Sequence, residues 1–163
     1  MIQSKLTIYN GYKFRSRTEA RWAVYFDSIG IKYHYEHEDF IIRNGTRYLP
    51  DFYLPNIYNG VFAEVKGIFT EIDIETCIGL HKVTKKPVIM LEDVPDFKVF
   101  KYLEYCEYFK DIEIREGLFY PEEDRIYVTP GIEDSKGFFN PQDWTSCHKK
   151  AVYDARAARF ESF

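Results

Sequence analysis

Tyr48-Leu-Pro-Asp-Phe-Tyr-Leu-Pro-Asn-Ile-Tyr-Asn-Gly-Val-Phe-Ala-Glu-Val-Lys-Gly67 contains two runs of strand-forming residues separated by a turn-rich interval. Pro50-Asp51 begins the first run and Glu64-Val65-Lys66 ends the second. Side chains alternate faces along a strand, so Glu64 and Lys66 point one way and Val65 points into the opposite layer. With Asp51 on a neighbouring strand, two acids and a lysine converge. The acids are hard oxygen donors suited to a divalent cation, and the lysine is a fixed positive charge beside them.

The flanking sequence supplies the other layers. Upstream, Phe14-Arg-Ser-Arg-Thr-Glu-Ala-Arg-Trp-Ala-Val-Tyr-Phe-Asp-Ser-Ile-Gly30 predicts a helix. Ser16 caps its start, Glu19 falls three residues later as in a capping box, and Gly30 stops it. A short strand at Leu6 to Tyr9 precedes it, ended by the turn pair Asn10-Gly11. Strands are expected over Ile31 to Glu36, Asp39 to Arg43 and Thr46 to Leu54, with Asn44-Gly45 as a two-residue hairpin turn. Val61 to Lys66 is a further strand, Ile72 to Val83 a helix, and Pro87 to Leu91 a buried strand. That last strand is reached by a crossover helix and is expected to run parallel to its neighbour.

Beyond Asp93 the pattern predicts an amphipathic helix over Pro95 to Lys110 and a hairpin from Ile112 to Tyr120 and Arg125 to Thr129. A loop follows over Thr129 to Phe139, and a last helix is capped by Asn140, begun by Pro141 and carried by Ala151 to Phe160. The expected organisation is a core over residues 1–94 with an extension over residues 95–163 packed on it.

Composition narrows the classes. Of 163 residues, 45% are hydrophobic and 18% aromatic, which suits one packed core and opposes whole-chain disorder. No apolar run approaches the roughly 20 residues of a membrane-spanning helix, and the amino terminus lacks a signal-peptide pattern, so a cytoplasmic protein without membrane contact is expected. Cys77, Cys106 and Cys147 are odd in number and widely spaced, which favours free thiols over a disulfide framework or zinc site. The net charge of −4 opposes indiscriminate binding to nucleic acid, although basic residues cluster locally at Lys13, Arg15, Arg17 and Arg21 and at Lys82, Lys85 and Lys86.

Pro50-Asp51 followed by Glu64-Val65-Lys66 resembles the PD-(D/E)XK nuclease superfamily, over roughly Tyr12 to Leu91. The resemblance implies an α/β fold, a restriction-endonuclease-like mixed β-sheet flanked by helices, to which the α+β extension at the C-terminus is added. Ser16 to Arg21 is similar to the helix that in small phage-type members and transposon-end nucleases completes the metal shell, and on that likeness Glu19 is the third acid. By the same likeness Asp51 and Glu64 are the principal ligands of Mg²⁺ or Mn²⁺, the Val65 carbonyl adds another, and Lys66 is the catalytic lysine.

The implied activity is metal-dependent endonucleolytic hydrolysis of DNA, leaving a 5′-phosphate and a 3′-hydroxyl. Homodimerisation is compatible with cutting two strands. Arg15, Arg17, Arg21 and Lys82 are candidate contacts to nucleic acid, and Ala155 to Glu161 resembles the terminal helix of some phage-encoded members. The competing reading is a catalytically silent scaffold of the same fold that binds DNA or a protein partner. Each residue also has a plainer role: Asp51 as a turn aspartate, Glu64 and Lys66 as a solvated strand pair, Glu19 as a cap, and the arginines as a solvated helix face.

Overall fold

Ser16 adopts extended backbone and its Oγ accepts the Glu19 N–H at 3.1 Å, so helix α1 starts at the next residue and spans Arg17–Ile29. Gly30, at φ +85°, ends it in the left-handed conformation that glycine adopts without a Cβ clash. This helix and all that follows belong to a computed structural model that describes residues 5–120, 125–128 and 146–162. Before α1, strands β1 (Thr7–Tyr9) and β2 (Tyr12–Phe14) form a hairpin whose turn residues Asn10 and Gly11 both have positive φ, as the expected turn pair requires.

After α1 come β3 (His34–Tyr35), β4 (Phe40–Ile42), β5 (Thr46–Tyr48), β6 (Phe52–Leu54), β7 (Val61–Lys66), helix α2 (Glu71–Thr84) and β8 (Val88–Glu92). Then follow β9 (Phe100–Cys106), β10 (Asp111–Tyr120), β11 (Arg125–Val128), helix α3 (Ser146–Ala157) and β12 (Glu161–Ser162). Among the described residues the main sheet has seven strands in the order β11-β10-β9-β8-β7-β6-β3. It is a mixed sheet: β7 and β8 are parallel across the α2 crossover, and the other pairs are antiparallel. A small sheet, β12-β1-β2, and the β4-β5 hairpin stand apart from it.

The sheet has a packed layer on each face. Phe52, Ala63, Val65, Ile89, Leu91 and Tyr102 bury against the side that carries α1 and α3. Phe62, Val88, Met90 and Leu103 bury against Cys77 and Leu80 of α2. Along β7 this alternation sends Ala63 and Val65 one way and Phe62 the other, which puts Glu64 and Lys66 on the α2 side. Helix α3 is fixed to α1 by the Ser28 hydroxyl, which donates to Asp154 Oδ2 at 2.8 Å, and by the contact of Tyr25 Oη with His148 Nδ1 at 2.7 Å.

Several sequence expectations are corrected. The strand expected over Ile31 to Glu36 shrinks to His34–Tyr35. The one expected over Thr46 to Leu54 breaks into β5 and β6, which lie in different sheets. Pro50 lacks an N–H to donate to a ladder, and the chain leaves β5 at Tyr48 and enters β6 only at Phe52. The Asn44-Gly45 hairpin forms, but through a 3-10 turn over Arg43–Gly45 that leaves three residues between Ile42 and its partner Thr46.

The helix expected over Pro95 to Lys110 is replaced by β9. Its residues alternate between layers, Phe100 and Tyr102 in one core and Leu103 in the other, and its many aromatic side chains suit a pleated surface. The final helix stops at Ala157, short of the expected Phe160. The expected loop over Thr129 to Phe139 and the Asn140-Pro141 helix start lie outside the described residues. No described helix is long and apolar enough to cross a membrane.

Candidate metal and hydrolytic site

Three successive pairings between β6 and β7, Phe52↔Ala63, Tyr53↔Phe62 and Leu54↔Val61, set a register that brings Asp51, one residue before β6, opposite Glu64. Gly60 holds the turn behind this register. Its φ is +99°, and a Cβ there would stand 2.2 Å from the Tyr53 hydroxyl oxygen, so the position has no room for another side chain. Side chains on directly opposed residues share a face, and here each carboxylate accepts a main-chain N–H from the facing strand. The Asp51 N–H donates to Glu64 Oε1 at 2.8 Å, and the Val65 N–H donates to Asp51 Oδ2 at 2.9 Å.

Glu64 is only 1% exposed. Burial raises its carboxyl from the ordinary value near 4.5 to about 7, against the opposing effects of a hydrogen bond from the Tyr48 hydroxyl and the Lys66 charge. Asp51 is pushed well above the usual aspartate range, first by burial, then by the charges of Glu64 and Glu19. The Val65 N–H and the Lys66 ammonium act in the other direction. Burial and proximity favour the protonated forms of both carboxyls, and a cation bound between them would favour the charged forms instead.

Glu19 approaches from the other layer. It is 8% exposed, and its carboxylate is engaged by hydroxyls: Ser16 Oγ donates to Oε1 at 3.1 Å and Tyr35 Oη donates to Oε2 at 2.5 Å. Burial raises its pKa, and these two bonds pull it back. Glu19 therefore serves the start of α1 and still places a negative charge within range of Asp51.

Lys66 is half-buried at the end of β7, and its main-chain carbonyl accepts the Asp93 N–H at 2.8 Å. With Glu64 it lines a partly open cavity of about 160 Å³ that is also lined by Ile42, Thr46 and Tyr48 of the β4-β5 hairpin and by Asp73, Thr76 and Cys77 of α2. At a liquid share of about 30 Å³ per water, that space accommodates about five water-sized molecules.

The weaker candidates are dispersed. Arg15 pairs with Glu36 at 2.6 Å, and the Glu36 N–H donates to the Asp51 carbonyl at 2.8 Å, so Arg15 borders the site through Glu36. Arg17 and Arg21 line a different concavity beside the end of α3. Lys82 lies farther along α2 in a separate cavity shared with Lys85, Lys110, Glu104 and Glu107. His34 and His37 stack with Tyr53, and His81 is bonded to the Lys86 carbonyl.

Sequence reasoning missed Tyr48 and Tyr35. Each hydroxyl lies on one of the candidate acids. Tyr48 stands three residues before Asp51 in the opening stretch, and only the separation of β5 from β6 shows that its hydroxyl reaches Glu64.

Among the described residues no group of three or more His, Cys, Asp or Glu side chains stands in an arrangement that holds a metal ion. The donor set that fits a cation is smaller: the adjacent carboxylates of Asp51 and Glu64, both oxygen donors of the kind Mg²⁺ and Mn²⁺ prefer, with room beside Glu64 for water to fill remaining positions. No family model matches the chain, and neither does any curated protein or solved structure.

Proposed function

We propose that this chain is a metal-dependent DNA endonuclease of the PD-(D/E)XK type, with Asp51, Glu64 and Lys66 as its hydrolytic centre. The observation that carries the reading is the opposition of Asp51 and Glu64. They are joined by a 2.8 Å bond, both carboxyls are raised above their ordinary range, and a lysine charge adjoins them on the same strand face. A buried acid with a half-buried one beside it is costly unless a cation joins them.

In this reading Asp51 and Glu64 hold Mg²⁺ or Mn²⁺, with the Val65 carbonyl as a further donor. The bound ion would polarise a phosphoryl oxygen and lower the pKa of a coordinated water. Lys66 Nζ orients the attacking water and carries positive charge toward the phosphate as negative charge develops there. The water oxygen bonds to phosphorus as it gives up a proton to solvent, the bond from phosphorus to the 3′-oxygen breaks, and that oxygen takes a proton from solvent, giving a 5′-phosphate and a 3′-hydroxyl. Tyr48 holds Glu64 in place by its hydroxyl, and Glu19 adds negative charge from beyond Asp51.

The test is incubation of the protein with linear, single-stranded, nicked and four-way DNAs and with RNA, in Mg²⁺ or Mn²⁺, alongside Asp51→Asn and Lys66→Ala. Metal-dependent cleavage lost in both variants supports the proposal. Cleavage that persists in both refutes this site.

The silent-scaffold reading draws on one observation, the engagement of Glu19 by two hydroxyls, which leaves the acids short of a cluster of three. Binding of DNA without cleavage, together with no thermal shift in millimolar Mg²⁺ or Mn²⁺, would favour it.

A further inference from the structure

Arg17 and Arg21 stand one turn apart on α1, and the last turn of α3 with the chain that leaves it brings Arg156, Arg159 and Phe160 beside them around a concavity of about 470 Å³. Arg21 fixes one side of it. Its Nη1 donates to the carbonyls of Ala155, Arg156 and Ala158 at 2.6, 3.0 and 3.1 Å, which caps the end of α3. The same guanidinium lies 5.4 Å from the centre of the Phe160 ring. Arg156 is tethered too, its Nε donating to the Pro95 carbonyl at 2.9 Å.

Two arginines therefore build the wall and two, Arg17 and Arg159, are left to serve a ligand. Among the described residues no carboxylate lines the concavity. In a chain with 26 acidic residues and a net charge of −4, four arginines gathered around one concavity are not a by-product of general basicity. Gathering these charges has a cost, visible in Arg21, whose pKa is lowered by burial and by the Arg17 charge. An anion bearing several oxygens offsets that cost, and the planar fork of a guanidinium matches phosphate geometry.

We propose that this arginine concavity is a backbone-phosphate site for a nucleic-acid strand. The choice of a strand over a lone anion rests on the nuclease reading. It is supported by the spread of the guanidiniums over two segments of chain and by the position of Arg17 in the first turn of α1, the turn that carries Glu19. The extension thereby gains a role: the end of α3 completes a site that α1 begins.

The test measures binding of a labelled DNA duplex in EDTA across a salt series for the parent, Arg17→Ala/Arg159→Ala and Arg159→Glu, with melting temperatures to confirm folding. Loss of two phosphate contacts is expected to make the slope of log K against log salt shallower by about 1.8 and to weaken binding roughly tenfold at low salt. A folded double variant with unchanged slope and affinity would overturn the proposal. So would a variant that loses binding of inorganic phosphate while binding the duplex like the parent, since the cavity would then serve a free anion. Cleavage in Mg²⁺ is followed in parallel. A cutting parent with unaltered binding in the variants sinks this site alone, and an inert parent with the expected slope change sinks the nuclease reading alone.

Discussion

The Tyr35 hydroxyl donates to Glu19 Oε2 at 2.5 Å, so a buried acid at the start of α1 is held by a side chain from β3. Replacing Tyr35 with Phe leaves that carboxylate short of a partner and is expected to lower stability by about 1–3 kcal/mol in denaturant unfolding. Glu19→Gln keeps a group able to bond Ser16 and Tyr35 but removes the charge near Asp51. If that charge supports the ion, cleavage falls roughly 10–100-fold with little change in melting temperature, the range seen when groups behind a metal's ligands are altered. Cleavage at the parental rate in Glu19→Gln would confine Glu19 to the helix start.

Stability without metal is expected to depend on pH through Glu64. Its carboxyl is raised in the folded state to about 7, so between the ordinary value near 4.5 and 7 the folded chain binds more protons than the unfolded one. Its contribution is present below pH 4.5 and is lost as pH rises toward 7, by at most about 3 kcal/mol for a shift of that size. Asp51, also raised, contributes a loss of the same sign as pH rises above the ordinary aspartate range. His148, lowered by burial to about 4, works in the opposite sense between pH 4 and 6.5. The informative quantity is therefore the parent's unfolding free energy minus that of Glu64→Gln, which should fall as pH increases. A difference independent of pH contradicts the assignment.

Mg²⁺ should counter that loss. For a dissociation constant of about 1 mM, 10 mM Mg²⁺ adds about 1.4 kcal/mol, a rise of a few degrees in melting temperature for a chain of this size. The rise should be larger at pH 8 than at pH 5, where protons occupy the same oxygens. Asp51→Asn is expected to abolish it. Lys66→Ala should retain a metal-dependent rise while losing cleavage, because an ammonium contributes no ligand. A lysine variant that loses both would make Lys66 part of the ion's binding.

Tyr48→Phe isolates the hydroxyl that bonds Glu64. That bond lowers the Glu64 pKa, so its removal raises it further. The acidic limb of the pH–rate profile for cleavage is expected to move to higher pH, and high pH or additional Mg²⁺ should recover most of the rate. An unmoved profile would leave Tyr48 a packing residue only.

Much of this site is written in local pattern. The alternation of Val61 to Lys66 already sends Glu64 and Lys66 to one face, and Ser16, Glu19 and Gly30 already delimit α1. These features depend on neighbours in the chain, through backbone geometry and capping, and need no partner to be legible. The nature of the 95–110 segment was not legible, because its aromatic residues satisfy a helical face or a pleated one equally. Only pairing of β9 with β8 and β10 decides between them.

What the sequence alone determined is the chemistry on offer: two acids and a lysine at strand spacing, a capped helix bearing a third acid, and arginines at both ends of the chain. Tertiary structure decided which of them meet. The β6-β7 register set Asp51 against Glu64, the β4-β5 hairpin brought the Tyr48 hydroxyl to Glu64, and α3 packed on α1 so that Arg156 and Arg159 joined Arg17 and Arg21. Such meetings join residues up to 142 positions apart, from 17 to 159, and they follow from core packing and strand pairing, whose energies depend on the whole fold.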